Sequence, residues 1–284
     1  MNNSVAINGL RKKYEDFELK NITFDIPKGH VVGILGENGA GKTTTIKAIL
    51  NLIRKDSGNI NIFDLDNIKY EKEIKENIGV VLDDSFLPNY YTPLDINKLM
   101  KIIHKNWNEK LFFEYMDKFN LPKNKKIKFY SKGMFIKLKI FVALSYKPKL
   151  LILDEPTSGL DPIARSDILD IFSDYMKNEE NSILISSHIT TDLERLADEI
   201  ILINNGEVLF NKTRNDLLNN YLLVKCTEEE FNKISRGDYI KYKKNRFEYM
   251  VLIDKNIDFK SKYGLNSIKP TLENIMLLYI RGEE

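Results

Sequence analysis

The sequence has a single cysteine, Cys226, among its 284 residues. An intramolecular disulfide is therefore excluded, and this cysteine usage is typical of a protein that works in a reducing compartment. The sequence also lacks an apolar run of the roughly 20 residues that a membrane-spanning helix requires. Residues 1–4 do not show the basic-then-apolar pattern that opens a secretion signal. We therefore expect any role at a membrane to be that of a peripheral subunit.

A large excess of one charge is missing as well. Lysine and arginine number 43 and aspartate and glutamate 41, so the formal net charge is only +2. Such a balance does not favour a nucleic-acid partner, which would require a strongly basic face. The hydrophobic content of 43% and the length of 284 residues indicate instead a globular protein of about two domains with a large core.

One glycine-rich stretch, Gly-Glu-Asn-Gly-Ala-Gly-Lys-Thr at residues 36–43, fits the pattern of a phosphate-binding loop. The apolar run 31–35 before it predicts a buried strand, and apolar residues at helical spacing over 46–53 predict a helix after it. Backbone N–H groups of such a loop, together with the helix N-terminus, attract anionic oxygens. A glycine-rich turn that binds nothing is disfavoured because both flanks fit. We expect a nucleotide to contact Gly36, Glu37, Asn38, Gly39, Ala40, Gly41, Lys42, Thr43 and Thr44, with Thr43 also holding Mg²⁺.

Three further predicted strands end in polar side chains. Asp83 and Asp84 follow the apolar run 78–82, Asp154 and Glu155 follow 150–153, and His188 follows 183–187. Because the carboxyl ends of parallel strands share one edge of a sheet, we expect these groups to converge near the glycine loop. There Asp154 would anchor Mg²⁺, Glu155 would orient or deprotonate a water, and His188 would sense the terminal phosphate. The alternatives stay open: Asp83 and Asp84 suit a turn, and a lone histidine is more often structural.

The periodicity also divides the chain. Apolar positions three or four apart predict helices over 93–104, 109–119 and 133–144, which form a helical insertion at about 89–146. Beyond residue 211 the character changes to short strands and helices. We therefore predict a first domain at 1–215, which contains the phosphate-binding loop, and a small C-terminal α+β domain at 216–284.

These motifs resemble those of the nucleotide-binding subunit of an ABC transporter, over residues 1 to about 215. Residues 36–43 look like the Walker A loop, and 150–155 like the Walker B strand with its catalytic glutamate. Residues 130–134, Tyr-Ser-Lys-Gly-Met, resemble the family signature Leu-Ser-Gly-Gly-Gln, and 158–161 the D-loop. The resemblance implies an α/β fold, a P-loop NTPase core of the ABC ATPase type with an antiparallel β subdomain. It implies a catalytic set of Glu155, His188, Lys42, Ser131, Gly133 and Asp161.

An aromatic residue in the loop before the second predicted strand, Tyr14, has two readings. Its ring could pack locally, or it could present a face to a nucleotide base. In the family an aromatic stacks on adenine at this place, so the resemblance implies that Tyr14 binds the cofactor ATP.

Two positions depart from the family pattern. The signature has Lys132 for its first glycine and Met134 for its glutamine, and the added ammonium would favour an anion. Asp83 replaces the glutamine of the family's Q-loop, and it offers Mg²⁺ a charged oxygen on a stem one methylene shorter. The metal ligands implied are Thr43, Asp83 and Asp154.

The resemblance implies an ATPase that dimerises head to tail around MgATP and drives separate membrane subunits from the cytoplasmic face of the membrane. The Ser-Lys-Gly-Met signature and a C-terminal Pro-Thr-Leu-Glu-Asn helix are similar to ATPase subunits of ABC-2-type exporters, which include exporters of antimicrobial peptides. One intact set of motifs favours a homodimer. The near-neutral net charge argues against a nucleic-acid partner. The alternative of an ABC-type ATPase that acts on ribosomes or nucleic acid is disfavoured by the single ATPase domain and the balanced charge. A phosphate-loop kinase or GTPase is disfavoured because the signature, Asp161 and His188 would then be accidental.

Residues 84–105 are predicted to receive the membrane subunit, because they follow the nucleotide-sensing loop and open the helical insertion. Phe86, Tyr90 and Tyr91 supply aromatic rings of the kind that interfaces favour. The alternative is that these rings fill the core of the insertion.

Overall fold

The structure is a computed structural model that describes residues 3–82 and 87–283. The strands are β1 (Asn3–Lys13), β2 (Glu18–Pro27), β3 (Val31–Leu35), β4 (Ser57–Ile62), β5 (Leu65–Asp66), β6 (Ile78–Val81), β7 (Leu150–Asp154), β8 (Ser182–Ser187), β9 (Glu199–Asn204), β10 (Glu207–Thr213), β11 (Tyr221–Cys226), β12 (Lys241–Lys244), β13 (Tyr249–Asp254) and β14 (Ser267–Ile268). The helices are α1 (Lys42–Ile49), α2 (Glu71–Lys75), α3 (Pro93–Ile103), α4 (Glu109–Lys118), α5 (Lys132–Leu144), α6 (Pro162–Tyr175), α7 (Thr190–Leu196), α8 (Arg214–Asn219), α9 (Glu228–Phe231), α10 (Phe259–Tyr263) and α11 (Leu272–Arg281).

A six-stranded sheet in the order β10-β9-β3-β8-β7-β6 forms the centre of the molecule. The strands from β9 to β6 pair in parallel, and β10 pairs antiparallel to β9. Every residue of β3, β7 and β8 is buried, as expected for parallel strands covered on both faces. Their carboxyl ends therefore meet at one edge of the sheet. At this edge the glycine loop follows β3, Glu155 follows β7 and His188 follows β8. The predicted α/β fold class is confirmed.

A second, antiparallel sheet in the order β2-β1-β4-β5 packs across α1. Ile46 and Ile49 of α1 share one apolar core with Ile7 of β1 and Ile34 of β3, so the helix lies between the two sheets. The turn at Asn205 and Gly206, between β9 and β10, joins these layers. Gly206 N–H donates to the carbonyl of Ala40 at 3.0 Å, and its own carbonyl accepts from Lys20 N–H at 2.7 Å.

Helices α3, α4 and α5 are present where the helical insertion was predicted. Thr92 and Asp95 form a capping box at the start of α3, and Asn108 caps α4. The apolar faces meet around Phe112, Met116 and Phe141, all fully buried. This packing brings the start of α5, and with it the residues that resemble the signature, close to the first turn of α6.

A third sheet, in the order β12-β13-β11-β14, follows along the chain. Thr227 and Glu230 form a capping box at the start of α9. Two short helices, α2 and α10, were not predicted from the sequence. Both have five residues, too few for a periodic pattern.

Helix α11 packs against the central region and not only against the third sheet. Leu272, Ile275 and Leu278 are fully buried in the same core cluster as Leu193 of α7 and Ile200 of β9. The domain boundary at residue 215 stays a prediction. Within the ranges 3–82 and 87–283, the helices are all too short or too polar to cross a membrane.

Candidate active site

The glycine loop leaves β3 through a contact that requires glycine. A Cβ built on Gly36 would lie 2.4 Å from the carbonyl oxygen of Ile203 in β9, closer than any real side chain. The loop then enters α1 through Gly41, whose φ of +114° is available at low cost only to glycine. Lys42, the first residue of α1, folds back over the loop. Its Nζ donates to the carbonyl oxygens of Gly36 at 2.8 Å and Glu37 at 3.2 Å.

A carboxylate at the end of β7 faces the start of α1. Thr43 Oγ1 donates to Asp154 Oδ2 at 2.8 Å, and Ser186 Oγ of β8 donates to Asp154 Oδ1 at 2.6 Å. Asp154 is only 3% exposed, so both of its oxygens are fixed by neighbouring strands and by the helix. Ser186 was not predicted as a site residue, since a serine in an apolar run carries no pattern of its own.

Glu155 has an uncommon backbone conformation with φ +49°. Its N–H donates to the carbonyl oxygen of Ser186 at 3.2 Å and to Ser186 Oγ at 3.0 Å. A non-glycine residue in the left-handed region is strained, and such strain persists only where the surroundings hold it. The strand end at Asp154 thus turns sharply and directs the next carboxylate toward the glycine loop.

Each carboxylate oxygen of Glu155 has a different partner, Lys42 for one and His188 for the other. Oε1 is 3.1 Å from Lys42 Nζ, and Oε2 is 2.7 Å from Nδ1 of His188. The contact with Lys42 is an ion pair, but its angles are not those of a hydrogen bond. Oε1 therefore accepts no hydrogen bond from the residues that the structure describes, although it is buried. Among the described residues, this oxygen is therefore held by the charge of Lys42 and not by a hydrogen bond.

These groups open onto a cavity of about 670 Å³. This volume lies in the range of cofactor sites. Its polar walls come from the glycine loop, α1 and the ends of β7 and β8. The lining residues are Asp16, Phe17, Asn38, Gly39, Gly41, Lys42, Thr43, Thr44, Lys132, Asp154, Glu155, Ser158 and His188.

A buried aspartate ties the loop after β7 to α7, the helix that follows His188. Asp192 is 1% exposed, and its Oδ2 accepts from Thr157 Oγ1 at 2.6 Å. Its Oδ1 accepts from Arg165 Nε at 2.6 Å, so α6 joins the same cluster. The loops that carry Glu155 and His188 are therefore held to a common anchor. The sequence alone gave no signal for this role, because Asp192 reads as an ordinary helix residue.

Comparison with known proteins decides the family. The family described as ABC transporter matches residues 19–158. The ABC transporter ATP-binding protein YtrB of Bacillus subtilis (strain 168) is 30% identical over 258 residues, which cover 90% of this chain and 88% of YtrB. The protein belongs to the ABC transporter family. The lantibiotic transport ATP-binding protein SrtF of Streptococcus pyogenes is 35% identical over 230 residues, with 77% of this chain and 97% of SrtF covered.

A solved structure agrees with this assignment. The ABC protein cbiO1 from Clostridium perfringens, described as part of the transporter complex cbiONQ, superposes with a TM-score of 0.65 at 25% identity. The match covers 76% of this chain and 91% of cbiO1. The prediction of an ABC ATPase that works with membrane subunits is confirmed. These three relatives are all described as transport proteins, so the alternative of a ribosome- or nucleic-acid-acting ATPase has no support.

In this ABC protein the base-stacking residue predicted from the sequence lies apart from the described cavity wall. Tyr14 is 43% exposed, with Lys12 Nζ 5.3 Å from its ring centroid. The aromatic side chain in the described wall is instead Phe17, whose Cζ would lie 3.0 Å from a Cβ built on Gly41. The role of Tyr14 therefore stays a prediction. Both aromatics belong to the same β1–β2 connection, and sequence alone offered no means of choosing between them.

The residues that resemble the signature and the D-loop lie at the starts of two helices. Ser131 caps α5 by accepting from Met134 N–H at 3.2 Å, and Asp161 caps α6 by accepting from Ala164 N–H at 2.9 Å. Gly133 lies at the contact between these helices, where an added Cβ would be 3.1 Å from the Cβ of Ala164. Capping and close packing thus account locally for all three residues. Their catalytic role stays a prediction.

The lysine that replaces the first signature glycine behaves differently from its neighbours. Lys132 lines the cavity together with Ser158 and His188 of its own chain. The remaining departure, Asp83 in place of the Q-loop glutamine, lies outside the described residues. Its metal contact stays a prediction.

Proposed function

We propose that the protein binds MgATP in the 670 Å³ cavity and hydrolyses it with Glu155 as the base, to power export through ABC-2-type membrane subunits. The observation that carries this proposal is the position of Glu155 between Lys42 Nζ at 3.1 Å and His188 Nδ1 at 2.7 Å. In this arrangement His188 orients one oxygen of the Glu155 carboxylate. The other oxygen faces the ammonium group of Lys42, which would contact the phosphates.

The chain's own residues supply separate parts of the chemistry. Lys42 would transfer its ion pair from Glu155 to the terminal phosphate oxygens, where it stabilises the charge that develops during phosphoryl transfer. Glu155 Oε1 is then free to take the proton of the attacking water, while His188 holds Oε2 in place. The imidazole can also contact the terminal phosphate. Removal of Glu155 or His188 is expected to slow hydrolysis more than it weakens binding, whereas removal of Lys42 is expected to abolish binding as well.

The oxygen atoms of Asp154 and its neighbour Thr43 are suitable ligands for a divalent cation. The Thr43 hydroxyl and the Asp154 carboxylate lie 2.8 Å apart, and oxygen groups of this kind are the ligands that Mg²⁺ prefers. We propose that Thr43 holds Mg²⁺, with Asp154 as its anchor and with Asp83 as a third ligand. When bound, the ion neutralises phosphate charge.

We propose further that two copies of the chain form the active unit. Ser131 and Lys132 are exposed at the start of α5, and Asp161 is exposed at the start of α6, so a second chain can reach them. The α5 N-terminus adds a positive potential that suits the phosphates of a nucleotide held by the partner. One chain carries a glycine loop and a signature, which favours a homodimer with two ATP molecules between the protomers.

The surface proposed to receive the membrane subunit is an apolar groove beside the predicted segment 84–105. The groove has a volume of about 830 Å³ and is lined by Leu52, Ile68, Leu82, Ile103, His104 and Tyr146, among other residues. Ile103 is 59% exposed, and burial lowers the pKa of His104, so this imidazole is neutral at pH 7. An apolar helix of a membrane subunit would cover such a groove.

Two aromatic residues of the predicted segment are exposed, although neither of them lines the groove. Tyr90 is 71% exposed, which opposes the alternative that its ring fills the core of the insertion. Tyr91 is 40% exposed, and Phe86 lies outside the described residues. The likeness to SrtF, a lantibiotic transport protein, supports a peptide as the exported molecule.

Glu155→Gln tests the function. We expect the variant to bind MgATP but to hydrolyse it at least ~100-fold more slowly, because the amide keeps the shape and loses the base. It is expected to accumulate as an ATP-bound dimer, measured by size-exclusion chromatography with and without MgATP. Glu207→Gln, on the exposed pair with Lys20, is the matched control and should behave as wild type. Hydrolysis by Glu155→Gln at the rate of this control would remove Glu155 from the catalytic role.

A further inference from the structure

An ion pair joins the glycine loop to the last described helix. The guanidinium NH2 of Arg281 in α11 donates to Oε1 of Glu37, across a sequence separation of 244 residues. Glu37 is the second residue of the loop. Its backbone carbonyl accepts from Lys42 Nζ at 3.2 Å and from Ala40 N–H at 3.2 Å. The carbonyl groups of two residues, Gly36 and Glu37, hold Lys42 Nζ. Arg281 therefore binds the side chain of one of these two residues, Glu37.

Helix α11 is fixed well enough to keep Arg281 in one place. Its buried face is Leu272, Ile275 and Leu278, each fully enclosed in the main core. Its first N–H group, that of Leu272, donates to Glu194 Oε1 of α7 at 2.6 Å. Near its other end, the ring of Tyr279 meets Phe210 of β10 edge-on at a centroid distance of 4.9 Å. A helix held at both ends and along its face delivers a charge to a defined position.

The same segment is also tied to the third sheet. Glu283 N–H donates to the carbonyl oxygen of Tyr242 in β12 at 2.7 Å, and Tyr242 N–H donates back to Glu283 at 3.0 Å. Arg281 thus lies between the sheet of residues 221–268 and the glycine loop. A shift of that sheet would move the arginine relative to Glu37.

Electrostatics gives this contact a consequence for nucleotide binding. The carboxylate of Glu37 stands on a loop that would receive a polyanion, and an uncompensated negative charge there opposes binding. Arg281 neutralises that carboxylate. Both side chains are partly exposed, 56% for Arg281 and 40% for Glu37, so salt screens the effect.

We infer that Arg281 is a positioning residue for ATP, which acts through Glu37 and makes nucleotide affinity depend on the seating of α11. The inference rests on the proposed function, in which the glycine loop holds the phosphates. Arg281 does not touch the reacting atoms, so its effect belongs to binding and not to the chemical step. Loss of Arg281 exposes the charge of Glu37, whereas loss of both charges restores affinity.

A double-mutant cycle on the full chain tests this inference. Arg281→Gln is expected to raise the Kd for MgATP about threefold to tenfold at low ionic strength, and by less in 0.5 M KCl. Glu37→Gln is expected to bind at least as tightly as wild type. Adding Arg281→Gln to Glu37→Gln is expected to change nothing further, because no carboxylate remains to be neutralised. For Arg281→Gln at saturating MgATP, kcat should stay within about twofold of wild type, since Glu155 and His188 are unaffected.

Two controls separate the charge effect from other losses. Arg246→Gln removes an arginine that lies over Phe247 in the β12–β13 turn, and it should leave the Kd unchanged. Arg281→Lys keeps the charge and should retain most of the affinity. Equal increases in Kd for Arg281→Gln in the wild-type and Glu37→Gln backgrounds would overturn the inference, as would no increase at all.

Lys42→Ala distinguishes failure of the inference from failure of the proposed function. If Lys42→Ala abolishes MgATP binding and Arg281→Gln has no effect, only the role of Arg281 is wrong. If Lys42→Ala binds MgATP as wild type does, the glycine loop is not the phosphate site and both proposals fall.

Discussion

The ammonium group of Lys132 lies directly over Gly159, where a Cβ built on the glycine would be 2.6 Å from Nζ. The signature lysine and the D-loop glycine of one chain therefore fit together, and a side chain at Gly159 would displace Lys132. Since Lys132 also lines the cavity, its charge reaches the side occupied by Glu155 and His188. A signature that served only the opposite protomer would not place Lys132 in the cavity wall of its own chain.

Lys132→Gln is expected to weaken ATP binding to the isolated monomer by about threefold to tenfold and ADP binding by less, because the terminal phosphate carries the added charge. Titration of the monomer with each nucleotide measures the difference. Lys110→Gln, which removes a largely exposed lysine on α4, is the control. If the monomer binds both nucleotides normally but the dimer hydrolyses slowly, Lys132 acts on the partner's nucleotide instead.

If Asp83 is the metal ligand that we propose, Asp83→Gln is expected to bind ATP more tightly than wild type when Mg²⁺ is removed by a chelator, because the substitution removes one negative charge that opposes the phosphates. Its hydrolysis rate with Mg²⁺ should stay within about tenfold, which is about 1.4 kcal/mol of barrier. ATP affinity with and without Mg²⁺ is the measurement, and Asp84→Asn is the matched variant. Equal metal dependence in wild type and Asp83→Gln would refute a metal role for Asp83.

Asp192→Ala is expected to lower the free energy of unfolding by about 2–4 kcal/mol, because it leaves Arg165 and Thr157 without their shared buried acceptor. Asp170→Ala breaks the exposed pair with Arg195 and should cost less than about 1 kcal/mol. Urea denaturation of both variants gives the comparison. Similar losses in the two variants would show that burial of Asp192 adds nothing.

Gly206→Ala is expected to destabilise the protein by more than about 3 kcal/mol, the sum of left-handed strain and a steric clash. Its φ is +75°, and the added Cβ would lie 1.8 Å from the carbonyl oxygen of Glu18. Gly264→Ala has a similar φ of +70°, but no described atom lies within 4 Å of its Cβ, so it should cost only about 1–2 kcal/mol. Thermal unfolding of the pair separates the clash from the strain. Equal shifts would contradict the close contact with β2.

The parts of the site that could be predicted are those in which a strand end and a side chain are adjacent in sequence. Three of the predicted side chains lie at a strand end or directly after it: Asp154, Glu155 and His188. Lys42 ends the glycine loop that follows a fourth strand end, and strand order brings all four groups to one edge of the sheet. Short-range pattern and topology are sufficient for such groups. The capping box of Thr227 and Glu230 is local in the same sense, because its two partners are three residues apart.

Contacts between distant segments could not be predicted in this way. Asp192 is recognisable as an anchor only when α6 and α7 are packed together. Phe17 and Tyr14 are both aromatic residues of one loop, and only the tertiary structure places Phe17 against Gly41. The pair of Glu37 and Arg281 involves two charged residues of common type, and neither has a local pattern that names its partner.

The burial of α11 also has a consequence for how the chain is made. During translation every ATP-binding motif emerges from the ribosome before residues 272–281 are synthesised, yet Leu272, Ile275 and Leu278 complete the core beside α7 and β9. The nascent chain therefore carries an open apolar groove until this helix arrives, and such surfaces attract chaperones or aggregate. A stop codon just before residue 272 would leave each nucleotide-binding motif intact in a protein that cannot close its core.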